Sequence, residues 1–169
     1  MTATMNPGNF TETAPGDLEV VMTRVFDAPR HLVFHAFTKP ELVKRWLLGP
    51  DGWSMPVCEI DLRVGGRYRY QWRRDKDGST MGSGGQFREV VENARIVHTE
   101  KFDEPWFEGE AVVTTDFMEE KDKTTVTMTI RYDKRETRDG VLKSGMERGV
   151  KASYDRLAEI LASQATAKA

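Results

Sequence analysis

Thr137–Leu161 reads TRDGVLKSGMERGVKASYDRLAEIL, and this stretch decides the fold. Leu142, Met146, Val150, Ser153, Tyr154, Leu157 and Leu161 recur at steps of three and four. That spacing collects side chains on one stripe of an α-helix. Lys143, Glu147, Arg148, Lys151, Asp155 and Glu159 fall on the other side, which is assigned to water. Asp139, just before Gly140, is the expected N-cap. Gly145 and Gly149 sit one turn apart near the start. A glycine inside a helix costs about 1 kcal/mol relative to alanine. The pair therefore signals close approach of sheet backbone or of a bound molecule, or else loose first turns that tolerate it.

Working outward, the chain holds 169 residues, enough for one domain with a real core. Its 25 basic and 27 acidic residues give a net charge of −2, which offers no electrostatic case for nucleic acid. The lone Cys58 excludes an internal disulfide framework and fits a reducing compartment. No apolar run is long enough to span a bilayer, and the first residues lack the pattern of a secretory signal. A cytoplasmic protein, monomeric or weakly dimeric, is expected.

Met1–Gly16, rich in Thr, Asn, Pro and Gly, is expected to be a flexible tail. Residues 17–162 form the domain and 163–169 a second tail. Leu18–Phe26 reads as a strand, followed by two short helices around Leu32–Phe37 and Glu41–Trp46. Strands follow at Val57–Leu62, Arg67–Trp72, Thr80–Val91, Arg95–Phe102, Glu110–Glu119 and Thr124–Tyr132. Tyr68, Tyr70 and Trp72 share one strand face, with Arg67, Arg69 and Gln71 on the other. Gly82, Gly84 and Gly85 suggest a bulge or strong curvature, with Ser83 as a bulge residue. The sum is an α+β fold in which a curved antiparallel sheet of about six to seven strands wraps around a long C-terminal helix.

Asp27-Ala-Pro29, Trp46 followed by Gly49-Pro50, the run Asp61-Leu-Arg-Val-Gly-Gly-Arg-Tyr68, and Gly145-Met-Glu-Arg-Gly149 with Asp155-Arg-Leu157 form a recognisable set. Over Leu18–Leu161 the chain resembles the activator-of-heat-shock-protein-ATPase homologue family, within the START-like, helix-grip superfamily. The resemblance implies a hydrophobic cavity between sheet and long helix. Relatives in that superfamily include lipid carriers, plant hormone-binding proteins and polyketide aromatase/cyclases. The eukaryotic co-chaperone has an additional N-terminal domain, which sixteen leading residues are too few to supply.

His31 and His35 have the spacing of two ligands on one helix, but no third ligand is near in sequence, so no metal is expected. Cys58 lies in a predicted strand without a paired histidine and reads as a buried small hydrophobe. No nucleophile elbow, phosphate loop or dinucleotide fingerprint is present, and no cofactor is expected. Glu89, Glu100 and Asp116 lie in predicted strands and are assigned outward. An inward one would be a candidate acid or base. The positive signal is aromatic. Trp46, Trp53, Tyr70, Trp72, Phe87, Trp106, Met128, Gly145, Met146 and Gly149 are the candidate ligand-binding residues. Trp53 and Trp106, read as loop residues, would close the mouth. The leading expectation is binding of an apolar or aromatic small molecule, lipid-like or polyketide-like, without catalysis. A cyclase/aromatase- or hydrolase-like enzyme and a chaperone-contacting module remain the alternatives.

Overall fold

The computed structural model describes residues 9–104, 107 and 109–167. The elements run β1 (Phe10–Thr13), β2 (Glu19–Phe26), α1 (Arg30–Thr38), α2 (Pro40–Trp46), β3 (Trp53–Ile60), β4 (Arg67–Arg74), β5 (Thr80–Val91) and β6 (Arg95–Phe102). They finish with β7 (Ala111–Glu120), β8 (Lys123–Arg131), α3 (Arg135–Lys143) and α4 (Met146–Ala167). The strands form one antiparallel sheet of eight, ordered β1-β2-β8-β7-β6-β5-β4-β3. It is therefore an α+β helix-grip fold: β3 to β8 meander, α1 and α2 carry the chain across from β2, and α4 packs on the inner face.

Strand alternation sets that inner face. Val20, Met22, Arg24 and Phe26 of β2 are buried beneath the helices, as are Ala111, Val113, Thr115 and Phe117 of β7. From α4, Tyr154, Leu157, Ile160 and Leu161 close over them. Tyr154 is the hub, with its ring 5.5 Å from Phe26 and 6.0 Å from both Phe37 and Trp46.

Several expectations change. The C-terminal helix is two helices. Gly145 takes φ +81° between them, a left-handed conformation that glycine adopts without steric cost and that ends α3. Asp139 lies inside α3 and pairs with Arg138 at 3.0 Å, while Lys134 occupies the N-cap. Phe10–Thr13, within the expected tail, pairs along β2 as an edge strand. The buried Arg138 guanidinium donates to the Gly16 and Glu19 carbonyls at 3.0 and 3.1 Å, fixing the turn between those strands. Residues 1–8 of that tail, and 168–169 of the other, lie outside the described residues.

The register of β5 on β4 is regular through Gly82, Ser83, Gly84 and Gly85. The irregularities fall instead between Phe87 and Glu89 of β5 and between Ser54 and Val57 of β3, where Pro56 offers no amide hydrogen. The Gly65-Gly66 turn is demanded locally, since a Cβ on Gly66 would clash with the Asp61 carbonyl.

Candidate pocket on the inner face

β4 turns Tyr68, Tyr70 and Trp72 inward. Neighbouring rings along it lie 4.9 and 5.8 Å apart, and Phe87 of β5 stands 5.6 Å from Tyr68. Trp72 donates its indole N–H to the Leu47 carbonyl at 2.7 Å, tying β4 to the end of α2. Cys58 pairs with Tyr70 across β3–β4. Burial pushes its thiol up to about 11, with Lys44 opposing and Glu41 assisting, so no thiolate is available at neutral pH.

The next strand supplies what sequence parity left open. On β6 the even positions Ile96, His98, Glu100 and Phe102 point inward, because His98 pairs with the buried Val113 and Glu100 with the buried Ala111. Glu100 is therefore an inward carboxylate, contrary to the outward assignment. Glu89 is exposed, and Asp116 pairs with Arg95 at 2.7 Å. Desolvation raises the Glu100 carboxyl to about 7. Among the described residues it has neither hydrogen-bond nor ion-pair partner. Its carboxyl is enclosed by the surrounding protein and remains partly accessible. Its neighbours across the sheet are small, Ala111 on one side and Gly85, next to the Gly84 that pairs with Lys101, on the other.

His98 shares this environment. Its Nδ1 lies 3.0 Å from the Thr99 carbonyl and 3.1 Å from the Tyr68 hydroxyl. A carbonyl can only accept, so Nδ1 carries the proton and Nε2 keeps its lone pair. Burial lowers the ring's pKa, partly offset by the Thr99 bond, and the imidazole is neutral at pH 7. The phenols of Tyr68, Tyr70 and Tyr132 are raised chiefly by burial and further by the Glu100 charge, so all three face the same region.

The far end is also acidic. Burial and then Glu147 raise Glu12 of β1. Glu147 of α4, assigned to water from the sequence, is half-buried, and its Oε2 is enclosed without a partner. Asp155, likewise assigned to water, bonds Arg24 of β2 at 2.7 Å. Burial pushes its carboxyl up, but Arg24 and Lys151 outweigh this and hold it low.

The expected site residues divide. Tyr70, Trp72, Phe87 and Met128 lie on the inner face of the sheet, with Met128 Sδ 4.0 Å from the Tyr154 hydroxyl. Met146 opens α4 and packs toward Val20 and Met22. Trp46 is a core pillar, 4.8 Å from Phe37, with its indole N–H on the Ala36 carbonyl. Trp53 begins β3 rather than lying in a loop, and Arg74 covers its ring at 5.1 Å. Trp106 lies outside the described residues.

Gly145 is the interhelical turn, and Gly149 faces Pro50 and Gly49, not the sheet. Ser153 and Arg156 clamp that loop through Gly49 at 2.9 and 2.6 Å. Gly149→Leu should therefore overpack the loop and cost about 1–3 kcal/mol in a thermal melt. An unchanged melting temperature would contradict this contact.

His31 and His35 are exposed with rings 6.4 Å apart, and no group of three potential metal ligands occurs among the described residues. On the outer face an open groove of about 650 Å³ runs past Arg67, Arg69, Arg88 and Lys101. Asp103 neutralises Arg69 at 2.6 Å, and Glu110 lies 3.8 Å from Arg88.

Comparison with known proteins matches residues 27–162 to a family described as Activator of Hsp90 ATPase homolog 1-like protein. A solved protein from Rhodobacter sphaeroides is similar at a TM-score of 0.86 and 28% identity, covering 91% of this chain and 98% of that one. One from Chromobacterium violaceum reaches 0.75 at 25% identity, over 85% and 96%. The solution structure of an AHSA1-like protein from Aeromonas hydrophila reaches 0.67 at 17% identity, over 83% and 93%, a likeness of fold alone. The search of curated proteins finds no match.

Proposed function

The chain belongs to the Activator of Hsp90 ATPase homolog 1-like family, and from that premise we propose that the space between α4 and the inner sheet face binds a small molecule with an apolar or aromatic body, lipid-like or polyketide-like. The reading rests on one observation: Glu100 points into the grip, enclosed yet partly accessible, with no partner among the described residues. A carboxyl group enclosed in this way is costly unless a polar group of a bound molecule pairs with it. Tyr70, Trp72, Phe87 and Met128 supply the apolar walls, the usual composition of a ligand site with a few polar anchors.

Nile red, a neutral apolar dye, should bind the native chain with micromolar affinity and quench tryptophan emission. Met128→Trp, which fills the region beneath Tyr154, should weaken that binding at least about tenfold with the fold intact. Undiminished binding in the folded variant would move the ligand elsewhere.

One observation favours a second reading. A carboxyl titrating near 7 beside a neutral imidazole is suited to general acid–base catalysis on a carbonyl. Under that reading, native mass spectrometry of the protein with a co-purified ligand would show the ligand converted by the wild type and left intact by Glu100→Gln.

A further inference from the structure

We propose that the ligand of this pocket carries a primary or secondary amine in its protonated form, with the ammonium group seated between Glu100 and His98. The inference rests on the pocket reading above and narrows the ligand class within it.

The charge inventory of the inner face carries the argument. Its acidic groups are Glu12, Glu100, Glu147 and Asp155, and the buried basic groups among the described residues are Arg24 and Arg138, the latter held by the Gly16 and Glu19 carbonyls and by Asp139. Arg24 is committed to Asp155 at 2.7 Å, so Glu12, Glu100 and Glu147 have no ion-pair partner among the described residues. Two of them carry independent marks of an absent partner. Glu100 is enclosed with nothing to accept from, and the Oε2 of Glu147 is buried and unpaired. An anionic head group would meet only repulsion here. A neutral apolar ligand would leave Glu100 as costly as it is unpaired.

Geometry selects the kind of cation. His98 and Glu100 are two residues apart on one strand face, roughly 7 Å between backbones. Side chains converging from those positions can place one acceptor each against a single nitrogen. The imidazole offers a lone pair at Nε2, because Nδ1–H is held by the Thr99 carbonyl at 3.0 Å. An ammonium with two or three N–H groups satisfies both acceptors, whereas a quaternary ammonium satisfies neither. Tyr70 and Tyr132 both lie near enough to feel the Glu100 charge, which keeps aromatic rings beside the proposed seat.

Dansylcadaverine and its N-acetyl derivative share one aromatic body and differ in a single charge, so their binding to the full chain tests the idea by fluorescence titration. The amine should bind about tenfold tighter or more, as a charge-assisted hydrogen bond requires. Glu100→Gln should reduce the preference to less than about twofold while leaving the acetyl derivative unaffected. A preference that survives in folded Glu100→Gln would overturn the assignment to this carboxylate. Equal binding of both probes, each displaced by Nile red, would overturn the amine inference and leave the pocket standing. No binding of either dansyl probe or of Nile red would remove the pocket and the inference together.

Discussion

Leu157→Ala is expected to lower the unfolding free energy by about 2–5 kcal/mol, the usual cost of removing a fully buried leucine side chain. Leu157 has no accessible surface and lies in the cluster with Phe26, Phe117, Tyr154 and Leu161. The effect combines lost transfer energy with an unfilled cavity, because Tyr154 and Trp46 are held in place by their own contacts and cannot collapse inward. A urea titration with unchanged slope and a lower midpoint would register it. A loss below about half a kcal/mol would mean that α4 does not grip the sheet there.

Glu100→Gln should act in the opposite direction and only at the higher end of the pH range. The carboxyl titrates near 4.5 in the unfolded chain and about 7 in the folded one, so the native state binds the proton more tightly. Below the unfolded value both states are protonated and the residue's contribution is fully present. As pH rises toward 7 the unfolded chain ionises first, and stability is lost. Above 7 the loss is complete, at about 3 kcal/mol for a shift of this size. The glutamine variant, which cannot ionise, should match the wild type near pH 4.5 and exceed it near pH 8 by up to that amount. Paired melts at the two pH values decide this. A glutamine variant less stable than wild type near pH 8 would place Glu100 in a stabilising interaction that the fold does not reveal.

The expectations differ in how far local chemistry reaches. The stripe from Leu142 to Leu161 was readable because helical periodicity is a property of neighbouring residues, and the buried Tyr154, Leu157 and Leu161 follow from it. The Gly65-Gly66 turn and the hairpin at Asp77-Gly78 were readable for the same reason. The break at Gly145 was misread, since glycine spacing alone cannot distinguish a left-handed turn from a helical close approach. Phe10–Thr13 was misread because an edge strand draws its order from β2 and not from its own composition.

Glu100 marks the boundary between the two kinds of information. Arg95–Phe102 was recognisable as a strand, but with Val97 and Ile96 both apolar its alternation did not choose a face. Only pairing with β7, which sets His98 opposite Val113 and Glu100 opposite Ala111, turns the carboxylate into the grip. A shift of one residue would have sent it to water. By itself, the sequence determined an antiparallel sheet closed by a C-terminal helix with aromatic residues between them, because turns, periodicity and alternation are local. Tertiary structure alone decided which acids are buried, what Gly149 touches and where Arg24 finds Asp155. Those outcomes depend on register and on contacts between residues up to 131 positions apart, which no local pattern encodes.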